Sequence, residues 1–131
     1  MNQHNKRILI VEDDKQIQNF ISYALSNAGF SCVAAETGEG ALNYIVTEPI
    51  DLMVLDLGLP DFDGTEVIRK VRQWSQLPII VVSARDQDKE KVNAFDIGAD
   101  DYITKPFSSS ELLARIRVAI RHLDRHGSDL Q

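Results

Sequence analysis

Three apolar tetrads constrain this chain more than any other feature: Ile8-Leu9-Ile10-Val11, Leu52-Met53-Val54-Leu55 and Ile79-Ile80-Val81-Val82. None alternates with polar residues. A strand with one wet face alternates, so a run without alternation predicts a strand covered on both faces, as in parallel sheets. Two weaker strand candidates lie at Ser31 to Ala35 and Asp101 to Ile103. Helical spacing fills the intervals. It runs through Ile17, Phe20, Ile21, Ala24, Leu25 and Ala28, then Ala41, Leu42, Ile45 and Val46, then Val67, Ile68 and Val71. A fourth pattern holds Val92, Ala94, Phe95 and Ile97, and the longest runs from Leu112 to Leu123. Gly29 and Gly98 are the expected stops of the first and fourth helices. A βα order repeated five times implies right-handed crossovers and one parallel sheet between helices. Five units are too few for an eightfold barrel. The predicted class is therefore α/β: an open five-stranded parallel sheet in a three-layer (βα)5 sandwich.

Composition supports one domain and narrows the function. The 131 residues are 44% apolar, which allows a core and argues against intrinsic disorder. The net charge of −6 argues against this segment gripping nucleic acid through its own surface. The single cysteine, Cys32, excludes an internal disulfide and reads as a small buried apolar residue. No apolar run approaches the ~18 residues of a membrane span. The lead Met1 to Arg7 opens onto too short a run for a signal-peptide core. A reduced, cytoplasmic compartment is the expectation.

Ligands of open α/β sheets bind beyond the carboxyl ends of the strands. Glu12, Asp13 and Asp14 follow the first strand, and Asp56, Leu57 and Gly58 follow the third. Ser83, Ala84 and Arg85 close the fourth, and Thr104, Lys105, Pro106 and Phe107 the fifth. Carboxylates so gathered repel and call for a cation. Hard oxygens with a phosphoryl group nearby suit Mg2+. A lysine and a hydroxyl on the other side suit the phosphoryl oxygens, and an Asp can itself accept the group. Glu12-Asp13-Asp14 stands where a dinucleotide fold carries its glycine-rich loop, so no nucleotide is expected here. Asp14 is the expected cap of the first helix. Asp61 and Asp63-Gly64 read as turn residues. His4, His122 and His126 lie toward the termini, away from every strand end, and Trp74 has no role derivable from spacing.

Taken in order, these motifs resemble the receiver domains of two-component response regulators. They are Val11-Glu12-Asp13-Asp14, Leu55-Asp56-Leu57-Gly58-Leu59-Pro60-Asp61 with Asp63-Gly64, Ser83-Ala84 and Lys105-Pro106-Phe107. The resemblance covers roughly residues 6–125. It implies the strand order 2-1-3-4-5 and a receiver domain over 1–125. A linker or tail over 126–131 would lead to a DNA-binding domain that these residues do not include. It implies that Asp56 accepts a phosphoryl group from a sensor histidine kinase. Mg2+ would be held by Glu12, Asp13, Asp56 and the backbone carbonyl of Gly58, with Asp13 a direct ligand. Ser83 and Lys105 would each bond a phosphoryl oxygen, and Lys105-Pro106 would be cis. Tyr102 would be the switch aromatic, turning inward as Ser83 moves toward the phosphate. Such a chain is a phosphoacceptor that takes part in its own phosphotransfer and autodephosphorylation, not an enzyme.

A subclass follows from Gly98-Ala99-Asp100-Asp101-Tyr102 through Phe107, with Glu111-Leu112 and Ala114-Arg115, which is similar to the OmpR/PhoB class of transcriptional regulators. That similarity implies a homodimer on phosphorylation through the fourth helix, fifth strand and fifth helix. Lys91 would face Glu111, Asp96 would face Arg117, and Asp101 would face Arg115 across the two-fold. Asp56-Leu57-Gly58-Leu59-Pro60-Asp61, Arg72-Gln73-Trp74-Ser75, Pro78-Ile79-Ile80-Val81 and Ser83-Ala84-Arg85 together resemble the Kdp-type regulators of high-affinity potassium uptake. DNA would then be bound only through the missing domain, and no membrane is involved. The alternatives are a stand-alone receiver that acts by partner binding, a haloacid-dehalogenase-type Mg2+-dependent phosphatase, and a flavin binder. The phosphatase needs an Asp where Gly58 stands. The flavin binder needs a hydroxyl- or glycine-rich loop where the first strand ends in carboxylates.

Overall fold

Each apolar tetrad forms a central strand. The computed structural model describes residues 6–129; His4 and residues 130–131 of the expected tail lie outside the described residues. The elements alternate as β1 (Arg7–Val11), α1 (Lys15–Asn27), β2 (Ser31–Ala35), α2 (Gly38–Thr47) and β3 (Leu52–Leu55). They continue as α3 (Gly64–Arg72), β4 (Ile79–Ser83), α4 (Asp88–Ile97), β5 (Asp101–Thr104) and α5 (Ser109–Asp129). The five strands make one parallel sheet in the order β2-β1-β3-β4-β5.

The missing alternation has a direct cause: both faces of the central strands are dry. Leu9, Val11, Met53, Leu55, Ile79 and Val81 meet Ala41, Val67, Ile68, Val71 and Ala94 from α2, α3 and α4. Ile8, Ile10, Leu52, Val54, Ile80 and Val82 meet Ile21, Leu25, Leu112, Ile116 and Ile120 from α1 and α5. Successive residues still point to opposite faces, but each face is a core. Full burial of such a side chain contributes about 1.5–3 kcal/mol. The edge strands β2 and β5 are half-buried at several positions, which is why their sequence signal is weaker.

Caps set the helix bounds. The Asp14 carboxylate accepts from the Gln16 and Ile17 amides at 2.9 and 3.2 Å, and so opens α1 as its spacing predicts. Thr37 caps α2 through the Gly40 amide at 2.9 Å. Gly98 closes α4 with φ +124°, where a side chain would be strained and would also meet Arg72. The apolar spacing of α5 stops at Leu123, yet the helix runs on to Asp129. A helix needs a breaker or a cap to end, not merely loss of its apolar stripe, and Gly127 costs only about 1 kcal/mol relative to Ala. Lys6 also holds Asp124 at 3.0 Å.

Strand register lifts the chemistry to one edge. Val11 pairs with Leu55, so Glu12 and Asp56 leave the sheet at the same height. Ser83 pairs with Thr104, which sets Ser83 beside Lys105. Gly64 begins α3 against this edge. Its amide donates to the Leu57 carbonyl at 2.8 Å. A Cβ there would stand 2.6 Å from the Asp56 carbonyl oxygen and 2.7 Å from Leu57 Cα. Gly64→Ala should therefore lower stability by about 1–3 kcal/mol. An unchanged urea midpoint, followed by circular dichroism, would contradict this contact.

Candidate functional site

Glu12 and Asp56 are carboxylates buried at strand ends, 2% and 8% exposed. Ladder bonds carry on past the strands to hold their backbones. The Asp56 amide donates to the Val11 carbonyl at 2.9 Å, and the Glu12 amide to the Ala35 carbonyl at 3.0 Å. Asp13 is exposed at the mouth. Carboxylate oxygens of Glu12, Asp13 and Asp56 all lie within 4.8 Å of one another. Lys105 reaches into the group, with Nζ 3.0 Å from Glu12 Oε1 and 3.5 Å from Asp56 Oδ2. Its own amide donates to the Ser83 carbonyl at 2.8 Å, and the Lys105–Pro106 bond is cis.

The protonation balance follows from burial. Desolvation pushes the Glu12 carboxyl up, and the Asp56 charge adds to it; the Lys105 bond and the Asp14 amide offset this only in part. Burial alone would lower the Lys105 ammonium. Its bond to Glu12 and the charge of Asp56 outweigh burial, so Lys105 is raised and stays protonated. One ammonium thus meets two of the three carboxylates. The remaining negative charge and an all-oxygen donor set fit a hard divalent cation. Gly58 is exposed beside Asp56, with its amide 3.4 Å from Asp56 Oδ1. Nothing lies within 4 Å of where its Cβ would stand, so this side of Asp56 is open.

Ser83 is buried, and its Oγ accepts from the Arg85 amide at 3.1 Å. Tyr102 is buried in the core layer shared by α2, α3 and α4, and its hydroxyl donates to the Arg85 carbonyl at 2.7 Å. The Tyr102 ring is therefore already inward in this structure. Asp96, Glu111, Arg115 and Arg117 are exposed, and Lys91 and Asp101 half-buried, along the edge made by α4, β5 and α5. Within one chain Arg115 bonds Asp101 at 3.1 and 3.2 Å and lies 3.6 Å from Glu111. The resemblance implies Asp101 as the partner of Arg115, and Lys91 as that of Glu111, only across a two-fold.

Three contacts escape sequence reasoning. Gln18 is buried and donates its amide to the Glu12 carbonyl at 2.9 Å. A polar residue in register with Ile21 and Leu25 on the buried stripe was the available signal. Asp61 does more than turn the chain. Its carboxylate accepts from the amides of Gly38, Glu39 and Phe62 at 2.8–2.9 Å, tying the loop after β3 to the start of α2. Asp63 caps α3 through the Thr65 amide at 3.1 Å and hydroxyl at 2.7 Å, and also pairs with Arg85 at 2.5 and 3.3 Å.

Comparison with known proteins bears on this edge. The sequence profile of the response regulator receiver domain matches residues 8–117. The KDP operon transcriptional regulatory protein KdpE of Escherichia coli is 51% identical over 87% of this chain and 51% of its own length. KdpE of Mycobacterium tuberculosis is 45% identical over 87% of this chain and 50% of its own. The chain thus spans about half the length of these curated relatives. Among solved structures, a CheY-like receiver domain protein from Methanospirillum hungatei superposes with a TM-score of 0.88 at 31% identity, covering 92% of this chain and 98% of its own. The BeF3-activated receiver domain of Klebsiella pneumoniae RstA gives 0.85 at 34% identity, covering 88% of this chain and 99% of its own.

The Asp63 contacts carry a pH signature. Partial burial works to raise its carboxyl, but the Arg85 bond and the Thr65 hydroxyl and amide hold it down, from an ordinary 3.8 to about 2. A depressed acid stabilises the fold above its unfolded value and loses that contribution as pH falls through its folded value. Stability should therefore drop between about pH 4 and pH 2. Asp63→Asn, which keeps the capping oxygen, should flatten this window in thermal melts, whereas an unaltered acid limb would refute the assignment.

Proposed function

The chain belongs to the response regulator receiver family, and from that premise we propose that Asp56 accepts a phosphoryl group from a sensor histidine kinase. The observation that carries this reading is Lys105 set between Glu12 and Asp56, with Ser83 beside it on the register. A carboxylate oxygen of Asp56 attacks phosphorus, the bond from phosphorus to the donor nitrogen breaks, and the donor imidazole leaves with its electron pair. The Lys105 ammonium meets charge gathering on one phosphoryl oxygen, and the Ser83 hydroxyl donates to another. Near-complete burial shields Asp56 from bulk water while the Gly58 side stays open to the donor.

Glu12, Asp13 and Asp56 are the side chains that would hold Mg2+, with the Gly58 carbonyl as a further oxygen. When bound, the ion would offset negative charge on the phosphoryl group. An apolar groove of about 530 Å3, lined by Ile17, Phe20, Ala84, Pro106 and Phe107 next to Lys105, offers the donor protein a docking surface. The chain acts as phosphoacceptor and takes part in its own dephosphorylation.

The output we propose is dimerisation through α4, β5 and α5, with Lys91, Asp96, Asp101, Glu111, Arg115 and Arg117 as its charged groups. The longer curated relatives are both named as transcriptional regulatory proteins, the Escherichia coli one as that of the KDP operon, which supports a DNA-binding domain beyond this receiver; with the Kdp-type motifs, the reading extends to potassium-transport control in the cytoplasm. Among the described residues no helix is long and apolar enough to cross a membrane.

With Mg2+ and acetyl phosphate the chain should gain a single acid-stable, base-labile phosphoryl group by intact mass, and Asp56→Asn should gain none. Equal labelling of Asp56→Asn would overturn the site. Beryllofluoride should shift the sedimenting species from monomer to dimer, and Arg115→Glu should weaken that shift. An unchanged monomer would overturn the proposed face.

A further inference from the structure

Arg85 makes three kinds of contact that neither catalysis nor dimerisation requires of it. Its guanidinium holds the Asp63 carboxylate at 2.5 and 3.3 Å and lies 3.9 Å from Glu90 in the first turn of α4. Its amide donates to the Ser83 hydroxyl oxygen at 3.1 Å. Its carbonyl accepts from the Tyr102 hydroxyl at 2.7 Å. Asp63 is no arbitrary partner, because it ends the loop that begins at Asp56 and opens α3. One residue thus grips the phosphoacceptor loop with its side chain and both switch side chains with its backbone.

We infer that Arg85 is a positioning residue: its pairing with Asp63 fixes the loop between β4 and α4, and so holds Ser83 and Tyr102 in one arrangement relative to Asp56. The inference rests on the phosphoacceptor reading of that site. The ion pair is about one-third exposed on each side, so solvent screens it and it shares the pH-dependent stability of Asp63 with the Thr65 bonds. Its geometry also acts on where the loop stands. A forked guanidinium on a carboxylate that is itself immobilised by Thr65 leaves the Arg85 backbone little freedom to shift. Ser83 and Tyr102 cannot move independently while both are bonded to that backbone. Phosphorylation then meets a switch pair whose ordering is already largely done, which tightens its coupling to the α4–β5–α5 edge.

Tyrosine labelled with 13C at the ring ζ position reports the link, since the chain holds only Tyr23, Tyr44 and Tyr102. In wild type Tyr102 should give one sharp line before any ligand is added. In Arg85→Ala and in Asp63→Asn, which retains the α3 cap, that line should split or broaden while those of Tyr23 and Tyr44 stay. The beryllofluoride concentration at half-response should rise about tenfold in both variants. Arg85→Lys, which keeps the charge without the fork, should fall between. Acetyl phosphate should still label Asp56 in all of them. An unaltered Tyr102 line and an unaltered half-response in Asp63→Asn and Arg85→Lys would overturn the inference, even if Arg85→Ala failed to fold. Failure of wild type to take label would overturn the phosphoacceptor reading, and the Tyr102 line without ligand would still decide the Arg85–Asp63 link.

Discussion

The ammonium of Lys105 among the carboxylates of Glu12 and Asp56 is the interaction on which the functional edge depends. It joins residues 93 apart in sequence, passing over the ends of β4 and β3 to reach the loop after β1. Burying a lone carboxylate is costly, and breaking one side of a buried pair costs more than an exposed pair contributes. Glu12 can sit under the site because Lys105, arriving from the far strand, joins the Asp14 amide in meeting its carboxylate. That requirement ties the order of the sheet to its chemistry, since parallel, level strands on one side of β1 bring these ends to the same edge.

Around that balance the loop from Asp56 to Asp63 is held on both flanks. Asp61 fastens it to the first turn of α2, and Asp63 fastens it to Arg85. Leu57 is anchored in the core, and its carbonyl accepts the amides of Leu59 and Gly64. Beside Asp56, Gly58 faces open space. A rigid frame with one open side suits a group that must be reached by a large donor yet kept from bulk water. The side chains that look like ordinary turn formers are what make the frame rigid.

The fold was legible because its central strands are dry on both faces, which leaves an unmistakable mark on Ile8 to Val11, Leu52 to Leu55 and Ile79 to Val82. The site was legible because chemistry in such sheets collects at strand ends, so reading one or two residues past each tetrad finds Glu12, Asp56, Ser83 and, past the weaker β5, Lys105. Arg85 with Asp63, Asp61 with α2, and Gln18 with Glu12 were not legible. Each joins two loops or a helix and a loop, at separations of 22, 23 and 6 residues, with no shared periodicity. The end of α5 was hidden for another reason: helix continuation past Leu123 depends on backbone bonds, which leave no apolar pattern.

The pairing of Arg115 with Asp101 inside a single chain has a consequence for assembly. Two such chains meeting through this edge would trade partners: each guanidinium would leave its own Asp101 for the carboxylate opposite, and the tally of charged contacts would stay level. An exchange of that kind selects alignment without supplying driving force. The free energy of any such association would have to come from elsewhere on the edge, where Val92 and Phe95 of α4 and Val118 of α5 are exposed.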